Sequence, residues 1–148
     1  MTLLVPFDDS ELSRAALRKA AELGDLRDEE VLALSAIPDD ADFARDRGWI
    51  AEDEPLRMEE LESALQSRAK EVAPESTFRI ELVGSDEPTA TAASTVVRAI
   101  RRVANEVGAS VVFVGSENAG SVIRPDASVG GSVASDRAYD VYVVRKTE

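Results

Sequence analysis

Leu3-Leu4-Val5-Pro6-Phe7-Asp8-Asp9-Ser10 is the stretch that decides the fold. Five apolar residues end abruptly at two carboxylates and a serine, which is typical of a buried strand followed by a turn. Asp9 or Ser10 can cap the helix that follows, and Gly24 occupies a position that commonly ends a helix. Within that predicted helix the apolar residues recur at helical spacing, at Leu12, Ala16, Ala20 and Leu23.

The alternation of strand and helix continues along the whole chain. Further strands are predicted at Glu30–Ile37, Thr77–Val83, Ser110–Val114 and Val141–Val144. Further helices are predicted to begin at Pro55, at Pro88 and near Ser132. Between the second strand and the second helix lies an acidic stretch, which we expect to be a long loop or short helix pinned to the core by Phe43, Trp49 and Ile50.

Two of these strands differ in pattern. Thr77–Val83 alternates polar and apolar residues and predicts a strand at the sheet edge, whereas Ser110–Val114 is almost entirely apolar and predicts a central one. Regular alternation of strands and helices indicates a parallel sheet. We therefore predict an α/β fold, an open five-stranded parallel sheet in the order 3-2-1-4-5 with helices on both faces, in one domain spanning residues 1–148.

Composition excludes several kinds of chemistry. The 148 residues include no cysteine and no histidine, which removes disulfides, Cys or His metal sites, Cys nucleophiles and Ser-His-Asp triads. We predict no catalytic centre and no protein-built metal site. The formal net charge of −12 argues against binding nucleic acid or an anionic membrane through a broad basic face.

The small share of lysine among the basic residues, together with the high acidity, indicates a habitat. Lys19, Lys70 and Lys146 are the three lysines among 17 basic residues. High acidity with little lysine favours a halophilic protein, because molar salt shortens the Debye length to about 3 Å and screens the self-repulsion of such a surface. An ordinary acidic protein is the alternative.

The start of the chain favours a cytoplasmic location. Its apolar run, Leu3–Phe7, is short and has no basic flank, unlike a signal peptide. We also expect no transmembrane helix, because no apolar run approaches the length of about 18 residues that one needs.

The predicted sheet points to a ligand site. In such sheets the ligand lies beyond the carboxyl ends of the strands, where the strand order reverses. Here that point lies between the first strand, ending at Asp8, and the fourth, ending at Gly115-Ser116. The loop from Gly115 to Gly131 is rich in glycine and serine, so its backbone N–H groups can approach an anion closely. A flexible connection is the alternative for this loop, and Arg124 within it is either a phosphate contact or a solvated side chain.

Three stretches together resemble the universal stress protein family. They are Leu4–Ser10, followed by an alanine-rich helix; Ala109–Ser116, followed by Gly131-Ser132-Val133; and Val141–Arg145. The resemblance covers nearly the whole chain. It implies the five-stranded parallel sheet, a homodimer formed through the last strand (Val141 to Val144), an unknown protein partner, and ATP or AMP as ligand, with Mg²⁺ as a possible companion. It implies no dedicated hydrolase centre, although weak ATP hydrolysis stays open.

The resemblance also assigns site residues. Asp8 would meet the ribose or adenine, Pro6 and Phe7 would flank the base, and the backbone near Ala36 would read the adenine edge. The residues that would hold the phosphates are Gly115, Ser116, Gly120, Gly131, Ser132 and Val133.

The glycine motif departs from the family pattern of a glycine, two residues, a glycine, nine residues and Gly-Ser or Gly-Thr. Asn118 stands where the second glycine is expected, and the segment before Gly131 is three residues longer than the pattern. Gly120 can substitute for that glycine, but one residue too many then precedes Gly131.

Three functions remain open from sequence. The first is a stress-response regulatory module with a nucleotide pocket, and the second is a dimer of the same fold that has lost nucleotide binding and acts as an interaction scaffold. The third is a phospho-accepting receiver domain, whose chemistry would use Asp8-Asp9, Asp86, Ser116 and Lys146.

Overall fold

The computed structural model describes residues 1–84, 92–116 and 138–147. Its strands are β1 (Thr2–Pro6), β2 (Glu30–Pro38), β3 (Thr77–Val83), β4 (Ala109–Gly115) and β5 (Asp140–Val144). Its helices are α1 (Glu11–Arg27), α2 (Ala41–Asp46), α3 (Met58–Val72) and α4 (Ala92–Glu106). The predicted Pro88 start of the third crossover helix and the predicted helix near Ser132 lie outside the described residues.

The five strands form one sheet in the order β3-β2-β1-β4-β5, and each neighbouring pair is parallel. This confirms the predicted architecture. It also confirms β3 as an edge strand and β4 as an interior strand. β1 therefore has a neighbour on each side, β2 and β4, and the chain reverses its direction of travel across the sheet at β1.

Helices cover both faces of the sheet, as predicted. Successive side chains of a strand point to opposite faces, so β1 contributes Leu3 and Val5 to one core and Leu4 to the other. The first core packs against α1 and α3, through residues such as Leu17 and Leu65. The second packs against α4, and the residues of that helix in the core are Ile100, Val103 and Ala104.

The end of α1 differs from the prediction. Gly24 does not cap the helix, which continues to Arg27 and ends at Asp28 with a left-handed φ of 54°. Gly24 has a packing role instead: a Cβ there would lie 2.9 Å from both the Glu29 carbonyl oxygen and Val31 Cγ2. The glycine therefore allows α1 to approach the start of β2 closely.

Other helix boundaries show which local signals were sufficient. Ser10 is the N-cap of α1, and its hydroxyl accepts a hydrogen bond from the Ser13 N–H at 3.2 Å. The prediction that the next long helix starts at Pro55 is wrong, because α3 begins at Met58 after an extended Arg57. The acidic stretch contains the short helix α2, and the side chain of Asp40, its N-cap, accepts a hydrogen bond from the Phe43 N–H at 3.1 Å.

Within the described residues, no helix combines the length and apolarity needed to cross a membrane.

Candidate functional site

The sheet brings the two predicted strand ends together. β1 and β4 are neighbours, with Leu4 opposite Val112, so the residues that follow the strands, Asp8 after β1 and Ser116 after β4, emerge at the same edge. β2 ends at that edge too, because Pro6 lies opposite Leu34 and Ala36 follows two residues later. The register thus brings Asp8, Ala36 and Gly115-Ser116 to the same edge of the sheet, at its switch point.

The end of β1 is fixed by contacts with β2. The Phe7 N–H donates to the Leu34 carbonyl at 2.7 Å, and the buried Ser35 hydroxyl donates to the Phe7 carbonyl at 2.6 Å. The Phe7 side chain is only 2% exposed and belongs to the core shared with α1 and α3. This burial leaves little of the ring available to flank a base, whereas Pro6, the last residue of β1, is partly exposed.

Asp8 is already engaged by the protein. Its Oδ1 accepts from the Ser10 N–H at 3.0 Å, and its Oδ2 accepts from the Arg47 guanidinium, which follows α2. The Trp49 indole N–H donates to the Asp8 carbonyl at 2.9 Å. The carboxylate that the sequence proposes as a ligand contact therefore pairs with the Arg47 guanidinium.

The neighbouring carboxylate binds two further arginines. Asp9 has a φ of 65°, a left-handed conformation that Asp tolerates better than most residues. Its carboxylate lies 2.8 Å from Arg14 Nε in α1 and 3.9 Å from Arg68 Nη1 in α3. The hydrogen bond with Asp9, reinforced by the negative charge of its carboxylate, raises the pKa of Arg14 above its ordinary value.

We call Asp8, Asp9, Arg14, Arg47 and Arg68 the turn cluster. It joins two carboxylates and three guanidiniums, and the carboxylates of Glu11 and Glu71 also lie near Arg14. Its guanidiniums are the kind of group that pairs with an anionic ligand such as phosphate.

The sequence did not identify Arg47; it predicted only that its neighbours Phe43, Trp49 and Ile50 anchor the segment to the core. Trp49 packs against the core, as predicted for this residue, and its ring centroid lies 5.7 Å from that of Phe43. The Arg47 guanidinium carbon stands 4.8 Å from the centroid of the Phe43 ring. A signal was present: an arginine between two aromatic anchors, in a segment that leaves the same edge of the sheet as Asp8.

On the β4 side of the candidate site, the first backbone N–H after the strand is already paired. The Ser116 N–H donates to the Val144 carbonyl of β5 at 2.9 Å, so this amide extends the sheet. The Ser116 side chain is exposed. The other predicted phosphate residues lie outside the described part of the chain; they are Gly120, Arg124, Gly131, Ser132 and Val133.

Two further observations concern ligands: one is about metal ions and the other about a cavity. Across residues 1–84, 92–116 and 138–147, no group of three carboxylate, His or Cys side chains is arranged to hold a metal ion. A cavity of about 180 Å³ lies between the C-terminal ends of α1 and α3, lined among others by Ala21, Val31 and Val72. It opens at the amino ends of the strands and contains none of the predicted site residues, so we place the candidate site at the switch point instead.

This strand order defines a doubly wound α/β protein, a class whose ligand sites lie at the carboxyl ends of the strands. The sequence model of the universal stress protein family matches residues 1–145, and the chain belongs to that family. No curated protein sequence matches it significantly.

Solved structures agree on the fold. A universal stress protein in complex with cAMP is 23% identical, with a TM-score of 0.56 over 100% of this chain and 98% of that one. A universal stress protein from Archaeoglobus fulgidus in complex with dAMP is 20% identical, with a TM-score of 0.52 and 98% of each chain covered. One from Lactobacillus plantarum is 16% identical, with a TM-score of 0.54 over 98% and 97%.

The strand order argues against the receiver domain. Receiver domains have the flavodoxin-like order 2-1-3-4-5, whereas this sheet has the order β3-β2-β1-β4-β5. Asp86, the proposed phospho-acceptor, lies outside the described residues.

Proposed function

We propose that the chain is a stress-response regulatory module that binds an adenine nucleotide, ATP or AMP, at the crevice between the ends of β1 and β4. The observation that carries the proposal is the juxtaposition of Asp8 with Gly115-Ser116 at the switch point. Two similar structures are of universal stress proteins in complex with cAMP and dAMP. The three guanidiniums of the turn cluster add an attraction for phosphate in an acidic chain.

Titration calorimetry with ATP and AMP, with and without Mg²⁺ and in low and molar KCl, tests this function. We expect saturable binding, and we expect Asp8→Asn to weaken it about tenfold, the loss of one charge-assisted hydrogen bond. Asp42→Asn is the matched control, because Asp42 is a 92% exposed carboxylate paired with Arg45. No binding at millimolar nucleotide in molar KCl would contradict the proposal.

The second candidate is an interaction scaffold that has lost nucleotide binding. It is favoured by Asn118, by the longer segment before Gly131, and by the Arg47 guanidinium that already occupies Asp8. If this function is correct, the natural chain binds no nucleotide. Changing Asn118 to Gly and deleting three residues from 119–130 should then create binding.

We further propose a homodimer formed through β5. This strand lies at the edge of the sheet, where unpaired backbone groups can pair with a second copy. Tyr142 is 44% exposed on β5 and its ring stacks on Phe113 at 4.9 Å between centroids. Sedimentation equilibrium should give twice the chain mass, and Tyr142→Glu should shift it towards the monomer.

A further inference from the structure

Arg47 stands between Asp8 and any ligand that approaches it. Asp8 Oδ1 is taken by the Ser10 N–H at 3.0 Å and Oδ2 by the Arg47 guanidinium. The Asp8 side chain is only 21% exposed. A ligand hydroxyl or amino group that donates to this carboxylate must therefore compete with a charge-assisted hydrogen bond.

The segment that carries Arg47 is well anchored, but the arginine itself is less so. The Trp49 N–H donates to the Ala44 carbonyl at 2.9 Å, Ala44 is 1% exposed, and the indole N–H donates to the Asp8 carbonyl. The Arg47 side chain is 32% exposed and rests on the Phe43 ring. Rotation of the Arg47 side chain can thus free Asp8 without moving the anchored backbone.

The charge of the turn cluster makes this rotation depend on the ligand. While Arg47 pairs with Asp8, the cluster has three guanidiniums for two carboxylates. If a neutral ligand displaces Arg47, the guanidinium loses its partner. If the ligand carries phosphate, the displaced guanidinium has a new anion within the same crevice, and planar guanidinium suits phosphate geometry well.

We propose that Arg47 is a specificity-determining residue: it occupies Asp8 in the free chain and is released only by a ligand that offers it an anionic group in exchange. The site then selects phosphorylated nucleosides over neutral nucleosides without a lysine. This inference rests on the proposed nucleotide function.

The test compares adenosine, AMP and ATP by calorimetry on the natural chain and on Arg47→Met, which keeps most of the side-chain volume. The variant frees Asp8 without supplying a cation, so adenosine should bind about tenfold tighter, a change of about 1.4 kcal/mol. AMP and ATP should not gain affinity, so the preference for phosphate falls at least tenfold. Arg47→Lys should restore part of that preference.

Arg57→Met is the matched control, because Arg57 pairs with Glu60 at 3.5 Å and both side chains are exposed. Trp49 is the single tryptophan of the chain and reports on the anchored segment. Unchanged Trp49 emission and acrylamide quenching in Arg47→Met would show that only the side-chain pair was lost. A large rise in quenching would mean that Arg47 holds the segment in place, which overturns the proposal.

The outcomes separate this inference from the proposed function. Equal changes in adenosine and ATP affinity, or no change in either, overturn the role of Arg47 while nucleotide binding stands. Adenosine binding by Arg47→Met, with no binding of AMP or ATP by the natural chain, overturns both proposals, because phosphate then does not release Arg47 from Asp8. If neither protein binds any of the three ligands, both proposals fail.

Discussion

The turn cluster and a second group of charged side chains both consist of ion pairs between arginines and carboxylates, at two different places in the molecule. The second group, which we call the edge cluster, consists of Arg79 and Glu81 on β3 with Arg102 and Glu106 on α4. Arg79 Nη2 lies 2.6 Å from Glu81 Oε1 and 3.2 Å from Glu106 Oε2, and Arg102 Nη2 lies 3.3 Å from Glu81 Oε2. It joins an edge strand to the helix that covers it.

Burial does not distinguish the two clusters. The side chains of Asp8 and Asp9 are 21% exposed and that of Glu81 is 19% exposed. The difference lies in the backbone: Asp8 also accepts from the Ser10 N–H and, through its carbonyl, from Trp49, and Asp9 has a left-handed φ. The turn cluster is thus tied to the backbone, whereas the edge cluster joins two surfaces through side chains.

The largest expected effect concerns the free energy of unfolding that is lost when one carboxylate is removed from each cluster. Asp8→Ala leaves the Ser10 N–H and the Arg47 guanidinium without their acceptor, so we expect a loss of about 2 kcal/mol in the free energy of unfolding. Glu81→Ala should cost only about 0.5 to 1 kcal/mol, the usual range for solvent-accessible pairs. Urea denaturation followed by Trp49 fluorescence measures both.

Asp42→Ala provides the control for that comparison. Asp42 is 92% exposed, and its pair with Arg45 at 3.2 Å spans one turn of α2. Its removal should change the free energy of unfolding by less than about 0.5 kcal/mol. Equal losses for Asp8→Ala and Glu81→Ala would show that the backbone contacts of the turn add nothing to the ion pair.

Most of the framework could be predicted from sequence because its signals are local. The apolar run before Asp8 and the polar–apolar alternation of Thr77–Val83 identify strands and rank them by burial. Gly24 shows the limit of local signals: a glycine near a helix end fits both a cap and a close packing contact. Only the position of Val31 against α1 decides for packing.

The contents of the site were harder to predict than its location. Asp8 and Ser116 follow strands whose order fixes their common edge, so topology alone brings them together. Arg47 reaches Asp8 across 39 residues of sequence, and no local pattern specifies where a long flexible side chain ends. The same holds for Arg68, whose guanidinium extends from α3 towards Asp9.

The second prediction concerns pH and applies to the edge cluster. The hydrogen bond from Arg79, helped by Arg102, lowers the pKa of Glu81 below its ordinary value of 4.5. A lowered pKa in the folded state means that the pair stabilises the protein above pH 4.5 and that this contribution disappears as pH falls through the lower, folded value.

Glu81→Gln should therefore cost about 0.5 kcal/mol at pH 7 and progressively less below pH 4.5. Urea denaturation of both proteins between pH 3 and pH 7 measures the difference. Glu60→Gln, on an exposed pair with Arg57, controls for the general loss of negative charge. A penalty that stays constant down to pH 3 would contradict the assigned cause.

The smallest expected effect is the salt dependence of these penalties, and it compares the two clusters most directly. In molar KCl the Debye length falls to about 3 Å, so the Glu81→Gln penalty should shrink to a few tenths of a kcal/mol. The Asp8→Ala penalty should keep most of its size, because a hydrogen bond from the Ser10 N–H is not removed by screening. The natural chain should itself become more stable, since its charge of −12 repels itself less; unchanged stability would contradict adaptation to salt. If the losses in unfolding free energy caused by Asp8→Ala and Glu81→Gln fell in proportion, the turn cluster would be only a second surface network of ion pairs. Its contacts would then give no reason to single out Asp8 as a ligand-binding residue.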